Sequence, residues 1–108
     1  MGLDIYLMSR PDKPDQPTGF EFRHSDGECG YWRKRHDILD EIRHIPFRHG
    51  EETDNTSFLV TREDLEALKL TVEAGIAWEE FSEHDLEMVE KAISALDRGE
   101  FVYFDVSY

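Results

Sequence analysis

Positive charge is scarce in this chain. Twelve Lys+Arg stand against 25 Asp+Glu in 108 residues, a formal net charge of −13. A field of that sign repels phosphate backbones and anionic membrane, so direct nucleic-acid or membrane binding is not expected. Cysteine is scarcer still. Cys29 is alone, so no internal disulfide can form and a reducing compartment is expected. No apolar run approaches the roughly 18–20 residues of a membrane span. The opening Met-Gly-Leu-Asp lacks the basic and apolar stretches of a signal peptide, and Tyr6 stands where a myristoylation signal needs Ser or Thr. These absences predict a cytoplasmic protein. There is no glycine-rich phosphate loop, no Gly-x-Ser-x-Gly, no His-Glu-x-x-His and no pair of cysteines. The chain therefore reads as non-enzymatic, with no cofactor implied.

What is present suffices to fold. An apolar fraction of 39% with 12% aromatics supports one domain, residues 1–108, with a real core. Leu3, Ile5 and Leu7 alternate with Asp4, Tyr6 and Met8, which predicts a strand over 3–8. Pro11, Pro14, Pro17 and Gly19 make 10–19 a loop. A short strand over 20–23 ends at a Ser25-Asp26-Gly27 turn. Tyr31, Ile38, Leu39, Ile42 and Ile45 share an arc, predicting a helix over 31–45 stopped by Pro46. An acidic loop follows to Thr56, then a strand over 57–60. Thr61 and Asp64 are spaced as a capping box for a second helix, with Leu65, Leu68 and Val72 buried and Gly75 as its end. Residues 76–81 connect it to a third helix, capped by Ser82. There Leu86, Val89, Ile93 and Leu96 face inward, and Gly99 is the stop. Residues 101–108 alternate as a last strand that can pair with the first. The order predicts an α+β fold: a small, mostly antiparallel sheet with about three helices packed on it.

The acid is concentrated at one end. Residues 1–50 hold nine Asp+Glu against eight Lys+Arg, and residues 51–108 hold sixteen against four. On the third helix Glu83, Glu87, Glu90 and Asp97 fall within ~80° of one another, opposite the leucine stripe. They span ~21 Å along the axis. The second helix adds Glu63 and Glu66, and the connector offers Trp78 as an aromatic anchor. Acids in first turns stabilise helix ends, but Glu83/Glu87 and Glu87/Glu90 repel and have no such rationale. One reading is a solvated acidic surface. The other is a phosphate-like surface, a DNA mimic, that meets a basic protein, a nucleic-acid enzyme or its complex.

Three further groupings carry chemistry less directly. Tyr31-Trp32-Arg33-Lys34-Arg35-His36 is the one basic cluster. Arg35 lies on the apolar arc and must pair with a carboxylate or snorkel. His36, Asp40 and His44 form a helical stripe with zinc-like spacing, though a plain polar stripe explains it as well. Asp4, Tyr6, Tyr103 and Asp105 share one sheet face if the terminal strands pair, which leaves a small acid–base enzyme or metal module as the alternative. Aromatic strands also leave a homodimer open.

The blocks Gly2-Leu-Asp-Ile-Tyr-Leu7, Gly30-Tyr-Trp-Arg-Lys34 and Phe58-Leu-Val-Thr-Arg-Glu-Asp-Leu65, followed by an aromatic C-terminal strand, resemble a family of small uncharacterised phage and prophage proteins. The order of the blocks holds over nearly the whole chain. It departs from the family pattern at residues 76–81, where relatives carry an aromatic-Gly turn, and in its longer proline loop. The resemblance implies a setting rather than a chemistry, and it singles out Tyr31, Trp32, Arg33 and Lys34. By analogy, that setting implies an inhibitor of a defence enzyme, of the anti-CRISPR or anti-restriction kind, and an immunity protein against a nuclease fits the same composition.

Overall fold

The alternation at the N-terminus produces a central strand. β1 (Asp4–Arg10) pairs antiparallel with β2 (Gly27–Arg33) on one side and β4 (Phe101–Ser107) on the other. β3 (Ser57–Val60) pairs antiparallel with β4, giving the strand order β2-β1-β4-β3. The terminal strands are therefore neighbours, with Tyr6 opposite Asp105 and Asp4 opposite Ser107. The computed structural model describes residues 2–20, 25–50 and 57–107. Four helices complete it: α1 (His36–Ile42), the single turn α2 (Ile45–Arg48), α3 (Arg62–Ala77) and α4 (Glu83–Asp97).

The helices pack on one sheet face. Ile5, Leu7, Trp32, Phe58, Val102 and Phe104 project from the strands into one buried cluster with Ile38, Ile42, Leu65, Val72 and Val89 from the helices. This is the α+β architecture the element order predicts. On α4 the fully buried positions are Val89, Ala92 and Ala95, while Leu86, Ile93 and Leu96 are only partly covered. Alanines at the centre of the stripe let the helix approach the sheet, so the leucines flank the contact rather than fill it.

The other sheet face is covered at one end by the proline loop. Gly19 donates its N–H to the Ser57 carbonyl and Leu59 to the Pro17 carbonyl, both at 2.9 Å. The outer edge of β3 is thus occupied, which protects it from pairing with another chain. Beneath the loop, the Arg10 guanidinium lies 5.0 Å from the Phe20 ring centre and 4.9 Å from that of Tyr103. It bonds Asp26 at 2.7 Å, and the Tyr103 hydroxyl donates to the same carboxylate at 2.5 Å. Burial, then the bond to Asp26, hold the Tyr103 phenol well above its usual range.

Three expectations are corrected. The first helix begins at His36, not Tyr31, because Tyr31 and Trp32 belong to β2. Strand pairing sets Trp32 opposite Ile5, facing the core, and the chain then turns at Lys34 (φ 58°), whose N–H donates to the Leu3 carbonyl. The arc shared with Ile38 and Ile42 was a coincidence of spacing. Pro46 opens α2 instead of closing α1; at the first turn its missing N–H has no partner to lose. Gly75 is buried inside α3, not at its end. A Cβ there would come within 2.1 Å of the Phe81 ring, so glycine is required by close packing of the connector. Most of the strand expected over 20–23 and the acidic loop 51–56 lie outside the described residues.

Candidate interaction surface on the α3–α4 hairpin

Both hairpin helices start in the capping boxes their sequences suggest. Asp64 accepts from the Thr61 N–H at 2.8 Å and donates its own N–H to the Thr61 hydroxyl at 3.2 Å. Asp85 does the same with Ser82, at 3.0 and 3.3 Å. These two aspartates are 5% and 2% exposed. They belong to the fold and not to the surface, although both stand within the acid-rich segment.

The remaining hairpin acids point outward. Glu63, Glu66, Glu73, Glu79, Glu80, Glu83, Glu87, Glu90 and Asp97 are all exposed. They are not electrostatically equal. Arg62 bonds Glu66 at 3.0 Å and also Asp97, and Lys69 lies 3.7 Å from Glu90. These contacts form a charged seam between the helices and partly neutralise Glu66, Glu90 and Asp97. Exposed pairs of this kind are weak, because water and salt screen them. His84 lies 3.8 Å from Glu87. Glu63 and Glu83 face solvent without an ion pair among the described residues. At the tip, the Trp78 N–H closes α3 on the Gly75 and Ile76 carbonyls, while its indole is 79% exposed. The seven residues singled out for partner binding thus sit on one hairpin, with Trp78 at its end.

The Tyr31–Arg35 block is occupied differently. Trp32 is 3% exposed, and its indole N–H donates to Asp85 Oδ1 at 2.9 Å. Arg35 reaches Asp85 through Nη1 and Nη2 at 3.2 and 3.1 Å, and Asp37 through Nε and Nη2 at 3.0 and 2.9 Å. Burial alone would raise the Asp85 carboxyl. The bonds from Arg35, the Ser82 backbone and Trp32 outweigh it and hold Asp85 below the usual carboxylate range. The pairing expected of Arg35 is therefore made. Tyr31, 39% exposed, donates to Asp4 Oδ1 at 2.5 Å and stacks against Tyr6 at 4.9 Å. That bond, with Asp4 nearby, raises the Tyr31 phenol. Arg33 and Lys34 are exposed.

The terminal-strand set is divided. Asp4, Tyr6, Tyr103 and Asp105 lie on one sheet face, but Tyr103 is buried in the Arg10–Asp26 cluster and Asp4 is bound by Tyr31. Burial raises the Asp105 carboxyl. Cys29 is buried, and burial raises its thiol, which disfavours the nucleophilic thiolate. Among the described residues no three His, Cys, Asp or Glu are grouped to hold a metal ion, and no helix is long and apolar enough to cross a membrane. Leu70 escaped the sequence reading. It is 69% exposed, outside the Leu65–Leu68–Val72 stripe, a phase that a helical wheel already displays. Comparison with protein-family models, with curated proteins and with solved structures finds no match.

Proposed function

We propose that this chain is a small acidic interaction protein of phage or prophage type. It binds a basic, nucleic-acid-handling protein through the outward face of α3 and α4 and inhibits it by occupying its nucleic-acid surface. Inhibitors of defence nucleases and nuclease-immunity proteins are the two forms this takes. The observation that carries the reading is the display of nine exposed acids on the α3–α4 hairpin, with an exposed tryptophan at its tip. Helix chemistry accounts for Glu63 and Glu83 in first turns but not for Glu87 and Glu90 further along α4, where the pairs Glu83/Glu87 and Glu87/Glu90 repel. A basic partner relieves that repulsion. The mode is binding in the cytoplasm, without catalysis or cofactor. The phage setting rests on the resemblance of the Gly2–Leu7 and Tyr31–Lys34 blocks.

The test is capture. The immobilised chain and its Glu83→Lys/Glu87→Lys/Glu90→Lys variant are exposed to host lysate at low and moderate salt, and retained proteins are identified by mass. A nucleic-acid enzyme held by the wild type alone and released by salt is the expected result. Equal retention on both, or retention indifferent to salt, would remove the acidic face as the binding surface.

A further inference from the structure

The outward face of α3 is not uniformly acidic. Its inner face is settled by burial of Leu65, Leu68, Val72 and Gly75. Opposite lie Ala67, Leu70, Ala74 and Ala77, all exposed, and Trp78 follows at the C-terminus. On a helical wheel these five fall within ~100° of one another, at the 3–4 spacing of a packing stripe ~17 Å long. Exposed apolar residues scattered singly are ordinary. Here the two largest, Leu70 at 69% and Trp78 at 79%, share one ridge with alanines between them. Glu63 stands at the N-terminal end of that ridge, Glu66 and Glu73 line one side of it, and Glu79 and Glu80 follow its other end. Lys69, the one base within α3 beyond its first residue, is turned to Glu90 of α4. Beside Ala67 the ridge borders a cleft of about 270 Å³ between α1–α2 and α3, floored by Ile45 and Leu68.

We infer that this ridge docks an amphipathic helix of a basic partner, the apolar side of that helix on Leu70 and Trp78, a Lys/Arg margin along Glu66 and Glu73, and a basic end at Glu63. The inference rests on the reading of the hairpin as a surface for basic proteins and specifies which part of it gives shape selectivity. A helix fits because small residues at this spacing let two helix axes approach to ~8–10 Å. A basic margin fits because acid lines one side of the ridge and stands at both of its ends, while the other side borders the cleft with Arg48 and Thr71, as charged margins select partners in coiled coils. A second copy of this chain fits poorly. It would set Glu63, Glu66 and Glu73 against the same residues, in a chain already at −13.

The test uses a synthetic 22-residue peptide without tryptophan, Leu on one helical face and Lys on its flanks. A scrambled peptide of equal composition is the control. Trp32 is buried, so a shift in tryptophan emission on binding reports Trp78. The amphipathic peptide is expected to shift emission to the blue and to bind about ten-fold tighter than the scrambled one. Leu70→Ser, at an exposed position that leaves the fold intact, is expected to erase that preference. Equal affinity for both peptides would overturn the inference while leaving the acidic-surface reading standing. Binding of neither would overturn both. A free chain that is a dimer and becomes monomeric in Leu70→Ser would also overturn it, giving the ridge to a second copy.

Discussion

Two parts of this molecule stand out by composition: the Tyr31–Arg35 block and the α3–α4 hairpin. The key side chains of the first, Trp32 and Arg35, turn inward, and the acids of the second turn outward. In the block, the indole of Trp32 and the guanidinium of Arg35 converge on Asp85, a buried carboxylate that also caps α4. One aspartate thus ties the β2 edge, the turn into α1 and the start of α4 together. On the hairpin, nine acids and the Trp78 indole meet solvent, and the bases within reach neutralise three of the acids only in part. In the aromatic-basic block internal contacts account for Tyr31, Trp32 and Arg35, while Arg33 and Lys34 stay exposed. The acidic surface is not explained by packing, and the proposed function places partner binding there.

If that contrast is right, substitutions in the two parts separate stability from binding. The largest effect is expected for Trp32→Ala, which empties a buried aromatic site beside Phe104 and costs about 3–5 kcal/mol in denaturant unfolding. Asp85→Ala removes a cap and the acceptor of two donors, costing roughly 2–4 kcal/mol. The second effect depends on pH with a definite sign. The folded carboxyl of Asp85 lies below its ordinary value, as does that of Asp37, chiefly through its bond to Arg35. Their stabilisation is full above about pH 4 and is lost as pH falls through the depressed folded values. The gap between wild type and Asp85→Ala is therefore expected to be widest near neutral pH and to close in acid. A gap that widens in acid would contradict the bonding described for Asp85.

Smaller effects sharpen the hairpin side. Glu83→Lys/Glu87→Lys/Glu90→Lys is expected to change unfolding free energy by less than about 1 kcal/mol, since all three positions are exposed and their contacts, Lys69 to Glu90 and His84 to Glu87, are long and on the surface. Thermal unfolding of that variant checks it. Asp105→Asn should stabilise the chain slightly at neutral pH, because burial raises the carboxyl. A group raised in the folded state opposes folding once ionised, so the gain should fade as pH drops through the folded value. Melting at pH 4 and pH 7 distinguishes the sign.

Much of this frame was legible in the chain. Period-two alternation gave β1 and β4 and their pairing, and the Ser/Thr-x-x-Asp spacings gave both caps of the hairpin. The acidic outer face of α4 followed from the wheel. The failures share one cause, a local pattern overridden by a distant contact. Tyr31 and Trp32 fit a helical arc, yet pairing with Tyr6 and Ile5 made them a strand. Gly75 looked like a stop, yet Phe81 required it for contact. The bond from Trp32 to Asp85 joins residues 53 apart, and no local signal announces it. Leu70 was readable from its phase: it lies off the Leu65–Leu68–Val72 stripe, so a helical wheel puts it in solvent.

The most direct test compares the two parts for one purpose. The affinity of the captured partner is measured for wild type, for the triple hairpin reversal, and for Arg33→Ala/Lys34→Ala, which removes the exposed charges of the block. The account predicts loss of at least ten-fold in affinity for the hairpin variant and wild-type affinity for the block variant. Full binding by the hairpin variant, with loss in the block variant, would contradict it and return the functional site to Tyr31–Lys34.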